Sequence, residues 1–341
     1  MQIHLNVKIL YLRYLRNNSL VIGIRKAILT VSHTTNRLVV PPRLSTSAIM
    51  SSDLDIVKCF EFVKEITLQA GEIFKCKFYA DKNITVKTVN WDLVTDVDVK
   101  IEKVFIDALS QEFPDHRIIA EEMMGTKQEM PELTDAPTWF LDPIDGTVNF
   151  VHTFLHACIS VGLTVCKEPV LGIIYNPVTS ELYSAIKGKG AFLNGKPICT
   201  SKVTALEKAM LVFETTLLKF YTKDRDIYDS RLNTLINNTQ AIRSIGSAAM
   251  SLAYLARGAV DCVQIDDLKA WDILAGIVIV CEAGGAVLDT KGGPYNIMKP
   301  NTVAASNKPL AEELSKLIVD TDLKTRRKRL KRTCKAKDDS C

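Results

Sequence analysis

Apolar residues recur at three- and four-residue intervals at Ile56, Phe60, Val63, Ile66, Ala70 and Ile73, the spacing of one helix face, and predict a long helix starting after Asp53. A second such face follows at Ile101, Val104, Phe105 and Ala108. Beyond Pro114 the pattern shortens to apolar runs that close on acids: Ile118-Ile119-Ala120 before Glu121-Glu122, and Trp139-Phe140-Leu141 before Asp142. These predict strands whose C-terminal ends carry carboxylates, where open α/β sheets place their sites.

Short runs continue at Ala157–Val165, Val170–Tyr175, Leu182–Ile186 and Gly190–Leu193, separated by Asn176-Pro177, Gly188 and Asn194-Gly195, and predict an antiparallel sheet. The second half then alternates: strand Met210–Phe213, helix Ile227–Ile236, helix Ala248–Ala256, strand Val260–Ile265, helix Asp272–Ala283. Segregated strands followed by alternation predict a mixed, layered α/β fold. No repeat or low-complexity linker divides the chain, so its two halves are expected to share a cleft.

Composition refines this. A chain of 341 residues that is 47% apolar can bury a large core, and its net charge of +4 conceals a concentration of cations at the ends. Residues 1–52 carry Lys8, Arg13, Arg16, Arg25, Lys26, Arg37 and Arg43 with no acid, the composition of an organellar transit segment. Met50-Ser-Ser-Asp53 also reads as an ordinary start, making the same residues a disordered extension. The localisation expected is cytoplasmic, or mitochondrial if the segment is a transit peptide. At the other end Lys324–Arg332 is a basic run, read with the rest of 321–341 as a tail. Domain boundaries are therefore placed at 1–52, 53–320 and 321–341. No apolar run reaches the about 18 to 20 residues of a membrane span, so a soluble protein is expected. Nine cysteines without a C-x-x-C pair, and five histidines, argue for reduced, mostly buried thiols and against zinc or a disulfide framework.

The candidate chemistry lies in acids at element ends: Glu121, Glu122, Asp142, Asp145 and Asp272. Each has a local structural role open to it, as a helix cap, a turn former or a solvated end. Together, several carboxylates facing one cleft require a cation, and oxygen donors without His or Cys select Mg²⁺ or Mn²⁺. Pro143 stiffens the Asp142–Asp145 turn, and Gly146-Thr147 opens a helix whose free N–H groups suit a phosphate.

The stretch LDPIDGTVNF at 141–150, with Ala120-Glu-Glu122, Trp271-Asp-Ile-Leu-Ala-Gly276, Asp92–Asp98, Ile242–Ala249 and Cys281–Gly285, resembles the signature set of the inositol monophosphatase family over about residues 53–318. The resemblance implies an αβαβα sandwich of the sugar phosphatase type and a Mg²⁺-dependent phosphomonoesterase acting on inositol monophosphate. It implies that Glu121, Asp142 and the Ile144 carbonyl hold one Mg²⁺ and that Asp142, Asp145 and Asp272 hold a second, with a third, looser ion near Glu121. Thr147 paired with Asp98 would orient the attacking water, with Glu121 in the catalytic set. Substrate contacts would come from Lys87, Asp145, Gly146, Thr147, Gly246, Ser247, Ala248 and Asp272. Lithium inhibition and a homodimer are further expectations of the resemblance.

The chain departs from the family at the ring-binding wall. Seven residues before Asp272, where the family commonly has a glutamate, stands Ile265, and Leu217 occupies an often polar position. Asp266 is the candidate for the missing carboxylate's role. Two other functions stay open: a phosphatase of another sugar or polyol phosphate or of a 3′-phosphonucleotide, and a non-catalytic scaffold. Nucleic-acid binding is not expected, because the basic residues are terminal and not interleaved with aromatics.

Overall fold

The computed structural model describes residues 54–87, 93–125, 130–219, 223–293 and 295–338. The acid-free stretch read as a transit segment or extension lies outside them. Helix α1 (Ile56–Phe78) starts where the Asp55 carboxylate accepts hydrogen bonds from the backbone N–H groups of Val57 and Lys58. Its buried stripe, Cys59, Val63, Ile66, Ala70, Phe74 and Phe78, is rotated slightly from the predicted one, leaving Ile56 and Phe60 at the margin. A hairpin, β1 (Ile84–Val86) with β2 (Leu93–Thr95), leads into α2 (Asp96–Glu112), which Thr95 and Asp98 close with a capping box.

A seven-stranded sheet follows, in sequential order: β3 (Arg117–Ala120), β4 (Thr138–Asp145), β5 (Cys158–Val165), β6 (Glu168–Asn176), β7 (Glu181–Ile186), β8 (Ala191–Leu193) and β9 (Lys196–Ile198). Only β3 and β4 pair in parallel. The short helices α3 (Glu121–Met124) and α4 (Thr147–Val151) follow β3 and β4. A second sheet, ordered β11-β10-β12-β14-β13, contains β10 (Met210–Phe213), β11 (Ala241–Arg243), β12 (Cys262–Ile265), β13 (Ala286–Asp289) and β14 (Thr302–Ala305). Its helices are α5 (Arg225–Asn238), α6 (Ala248–Ala256), α7 (Ala270–Glu282) and α8 (Lys308–Asp338).

Alternation along the strands sorts side chains into three cores, which gives the five layers. Trp139 and Leu141 of β4 pack with α1 and α2, whereas Phe140 faces the middle layer formed by α6 and α7. In the small sheet Val212 and Val263 face that same middle layer, while Leu211, Phe213 and Cys262 face Leu235 of α5 and Leu310, Leu314 and Ile318 of α8. The αβαβα sandwich is thus observed.

Several expectations change. Helix α8 runs unbroken past position 321, where the tail was expected to begin, and Leu310, Ala311, Leu314 and Ile318 give it a buried stripe. Strand β4 continues past Asp142 to Asp145, with its register to β5 broken between those two residues. The described thiols are free, as expected, but Cys76, Cys166, Cys199 and Cys281 are exposed, against buried Cys59, Cys158 and Cys262.

Candidate active site

Asp142 has the parity of Phe140 and so points between the two sheets. Its Oδ1 accepts from the N–H of Ile144 at 2.9 Å, a short-range bond that shapes the bulge imposed by Pro143. The bulge brings Asp145 to the same side. Helix α7 supplies Asp272, far from Asp145 in sequence yet adjacent in space: one oxygen from each of Asp142, Asp145 and Asp272 lies within 4.8 Å of the others.

Tight packing sets the height of α7 above the large sheet. A side chain at Gly162 of β5 would strike Leu274, and one at Gly172 of β6 would strike the Ala275 carbonyl. Glycine at both positions lets the helix backbone sit directly on the strands.

Three of the acids also terminate helices. Asp98 Oδ2 accepts from the Thr95 N–H at 2.9 Å and its hydroxyl at 2.5 Å, at the start of α2. Asp145 accepts from Ser247 Oγ and from the N–H groups of Ala249 at 2.8 Å and Ala248 at 3.3 Å, at the start of α6. Asp272 accepts from the Lys269 N–H at 2.8 Å in the first turn of α7. Helix N-termini carry partial positive charge, which partly offsets the crowding of carboxylates.

The offset is incomplete. Burial first, then the charges of Glu121, Asp145 and Asp272, push the Asp142 carboxyl well above the ordinary range. Burial likewise raises Asp272 well above it, with Glu121 and Asp145 adding to the effect. Asp145 is pushed up by burial to about 6 although Ser247, Ala249 and Ala248 pull the other way. Asp98 rises by burial to about 6, and Glu102 and Glu122 by burial to about 7.

Lys87 answers part of this charge, with Nζ 2.9 Å from Glu121 and 2.6 Å from Glu122. Burial pulls its pKa down, but Glu121 and Glu122 outweigh burial and hold it above the ordinary lysine value. The Lys87 side chain, only 11% exposed, is thus paired to the Glu121 side of the cluster. Glu102 of α2 accepts from the Glu122 N–H at 2.7 Å and fixes α3 beneath them.

The donor set fits a hard divalent cation: all oxygen, acid-rich, and crowded enough that burial and mutual repulsion raise the Asp142, Asp145 and Asp272 carboxyls above their ordinary range. One buried acceptor, Asp98 Oδ1, has no hydrogen-bond partner. Such an atom is costly unless a water, proton or cation completes it.

Thr147 donates to the Ile144 carbonyl at 3.0 Å, so the expected hydrogen bond between Thr147 and Asp98 is not formed here. Gly146 takes a left-handed conformation, φ 87°, and a Cβ there would lie 2.9 Å from the His156 carbonyl. Helix α4 is only five residues long, so any anion preference at Gly146 and Thr147 rests on turn N–H groups and not on a long helix dipole.

The Gly246–Ala248 segment is joined to this loop. Asn149 Nδ2 donates to the carbonyls of Ile245 at 2.8 Å and Gly246 at 3.2 Å, while Ser247 and Ala248 bond Asp145. Glu214, which the sequence reading did not single out, organises its other side. Glu214 Oε1 accepts from the N–H groups of Ile245 at 2.8 Å and Gly246 at 2.9 Å, and Oε2 from Ser244 Oγ at 3.0 Å. It follows the apolar run Met210–Phe213, the same strand-then-acid pattern that marked Glu121 and Asp142.

Asp266 is not part of the site wall. Its carboxylate faces the outer layer, 2.5 Å from Arg231 of α5 and accepting from Thr290 Oγ1 at 2.6 Å; Arg231 in turn pairs with Asp322 of α8 at 2.6 Å. Ile265 points the opposite way, buried in the middle layer, with Leu217 packed partly buried against the same core. The role of a substitute ring-binding carboxylate is therefore withdrawn for Asp266: strand alternation turns it away, and a buried ion pair occupies it.

Similarity to known proteins agrees with this architecture. The inositol monophosphatase family matches residues 56–322. Inositol monophosphatase 2 of Solanum lycopersicum is 42% identical over 252 residues, 73% of this chain and 93% of that one. Inositol monophosphatase 1 of Bos taurus is 37% identical over 261 residues, 76% of this chain and 94% of that one. The structure of an IMPase of Thermotoga maritima superposes with a TM-score of 0.69 at 29% identity, covering 79% of this chain and 99% of that one. With its signature acids gathered at the edge of a two-sheet sandwich, and with relatives matched over almost their full length, the chain belongs to the inositol monophosphatase family.

Proposed function

We propose that the chain is a Mg²⁺-dependent phosphomonoesterase that hydrolyses inositol monophosphate to inositol and phosphate. The observation that carries this reading is the convergence of Asp142, Asp145 and Asp272 within 4.8 Å, beside Glu121. These four carboxylates and the Ile144 carbonyl would hold Mg²⁺. When bound, Mg²⁺ supplies positive charge that polarises water and phosphoryl oxygens.

The chain's own groups do the rest. Asp98, held through one oxygen by Thr95, offers its free Oδ1 as the acceptor for the attacking water's proton. Thr147, its hydroxyl proton committed to Ile144, has oxygen lone pairs that orient the same water. The turn N–H groups of Gly146 and Thr147 receive the phosphate, and Gly246, Ser247 and Ala248 face the alcohol portion. Lys87 keeps Glu121 aimed at the cluster.

The alcohol is the point at which a second reading has support. With Ile265 in the core and Asp266 engaged by Arg231, that part of the wall carries no free carboxylate, which favours another sugar or polyol phosphate. Phosphate release from inositol 1-phosphate, glycerol 2-phosphate, hexose monophosphates and a 3′-phosphonucleotide separates these readings. The highest kcat/KM is expected on inositol 1-phosphate; activity confined to another ester would overturn the substrate and leave the phosphatase.

A further inference from the structure

Helix α8 does two unrelated things along its length. Its first half packs through Leu310, Leu314 and Ile318, and Thr321 continues that buried face. Its second half carries Lys324, Arg326, Arg327, Lys328, Arg329 and Lys331 with no acid among positions 323–331, and every one of these cations is exposed. Arg329 turns back to the body and pairs with Asp224 and Asp226. The other five form no ion pair among the described residues.

Two leucines interrupt the basic stretch. Leu323 is 47% exposed and Leu330 66% exposed. Seven residues apart, they share one helix face, and at about 100° per residue that face lies nearly opposite the one through which Ile318, Thr321 and Thr325 meet the body. Arg326 and Arg327 flank the pair of leucines on either side.

We propose that this outward face of α8, Leu323–Lys331, is a docking surface for an anionic phospholipid leaflet. Cations bordering an apolar strip on a helix match a surface that is negative at the headgroups and apolar beneath them. A second copy of the chain is a poor occupant, because it would set like charges face to face. A nucleic acid would engage the cations but leave both leucines in water, and no aromatic side chain is present for bases to stack on. The surface is remote in sequence from the acidic cluster and independent of the reaction proposed above.

The test is sedimentation of the full chain with vesicles of phosphatidylcholine alone or mixed with phosphatidylserine. The protein should sediment only with the anionic vesicles, and less as salt rises. Each cation near an anionic leaflet raises affinity roughly fivefold, so R326Q/R327Q/K328Q should weaken binding on the order of a hundredfold. L323S/L330S should weaken it at unchanged charge, and both variants should retain the wild-type circular dichroism spectrum and phosphate release. Failure of the wild type to sediment with anionic vesicles overturns the proposal. So does wild-type binding by L323S/L330S, or displacement of the protein from vesicles by duplex RNA at equal phosphate concentration, which would assign the cations to nucleic acid.

Discussion

Replacing Asp266 separates a structural carboxylate from a substrate-binding one. Asp266 and Asp322 flank the buried guanidinium of Arg231, so the cluster carries two negative charges and one positive. Breaking a buried ion pair typically costs about 3–5 kcal/mol because the surviving charge is left unmatched. Asp266→Asn leaves Arg231 matched by Asp322, whose oxygens lie 2.7 Å from Nε and 2.6 Å from Nη2. The expected loss is therefore smaller, about 2 kcal/mol, close to that of one charged hydrogen bond. Arg231→Met removes the cation that joins the two carboxylates and should cost the full range of about 3–5 kcal/mol. Urea denaturation gives the order directly: wild type, Asp266→Asn, Arg231→Met. KM for inositol monophosphate should stay near wild type in folded Asp266→Asn. A wild-type urea midpoint combined with a tenfold higher KM would refute this reasoning and return Asp266 to the substrate wall.

Three further outcomes follow from the same geometry. Glu214→Ala strands the N–H groups of Ile245 and Gly246, about 1–3 kcal/mol for each buried donor, and should lower both the denaturation midpoint and kcat/KM, whereas Glu214→Gln, which keeps a carbonyl acceptor, should resemble wild type. Gly172→Ala drives a Cβ into the Ala275 carbonyl, and the resulting overpacking, about 1–3 kcal/mol, should displace α7 with Asp272 and reduce activity along with thermal stability. Burial raises Glu102 and Glu122 to about 7 and Asp98 to about 6, above the unfolded carboxylates at about 4. The unfolded chain thus binds fewer protons between those values, and calorimetry of chelator-treated protein should show stability falling from pH 5 to pH 8, with Mg²⁺ restoring more at pH 8; a rise on chelation would contradict the crowded-carboxylate account.

Much of the architecture was legible because both periods were clean. The stripes of α1 and α2, the run of antiparallel strands and the acids closing β3 and β4 are local signals that tertiary packing reinforced. The three-residue strands β1, β2 and β11 are too short to show a period, and their pairing partners lie on other segments. The fate of α8 was obscured by charge: the cations after Lys324 suggested a tail, although Leu310, Leu314 and Ile318 already carried helix spacing. Asp266 shows a limit of motif comparison. A carboxylate one position from an expected one looks interchangeable in sequence, but in a strand one residue means the opposite face. Glu214 was missed for a different reason: its role is to accept from backbone N–H groups of a distant turn, and no side-chain motif records that partner.

The central claim is that Asp142 and its neighbours form a cation-dependent phosphatase centre. Phosphate release from inositol monophosphate, measured for wild type and Asp142→Asn with Mg²⁺ and with chelator, tests it most directly. The account predicts release by wild type only when Mg²⁺ is present. It also predicts a folded Asp142→Asn protein whose urea midpoint in chelator is undiminished, because one member of a buried, repelling carboxylate group has been removed, and whose activity falls by orders of magnitude. Release that persists in chelator, or an Asp142→Asn protein as active as wild type, would contradict it.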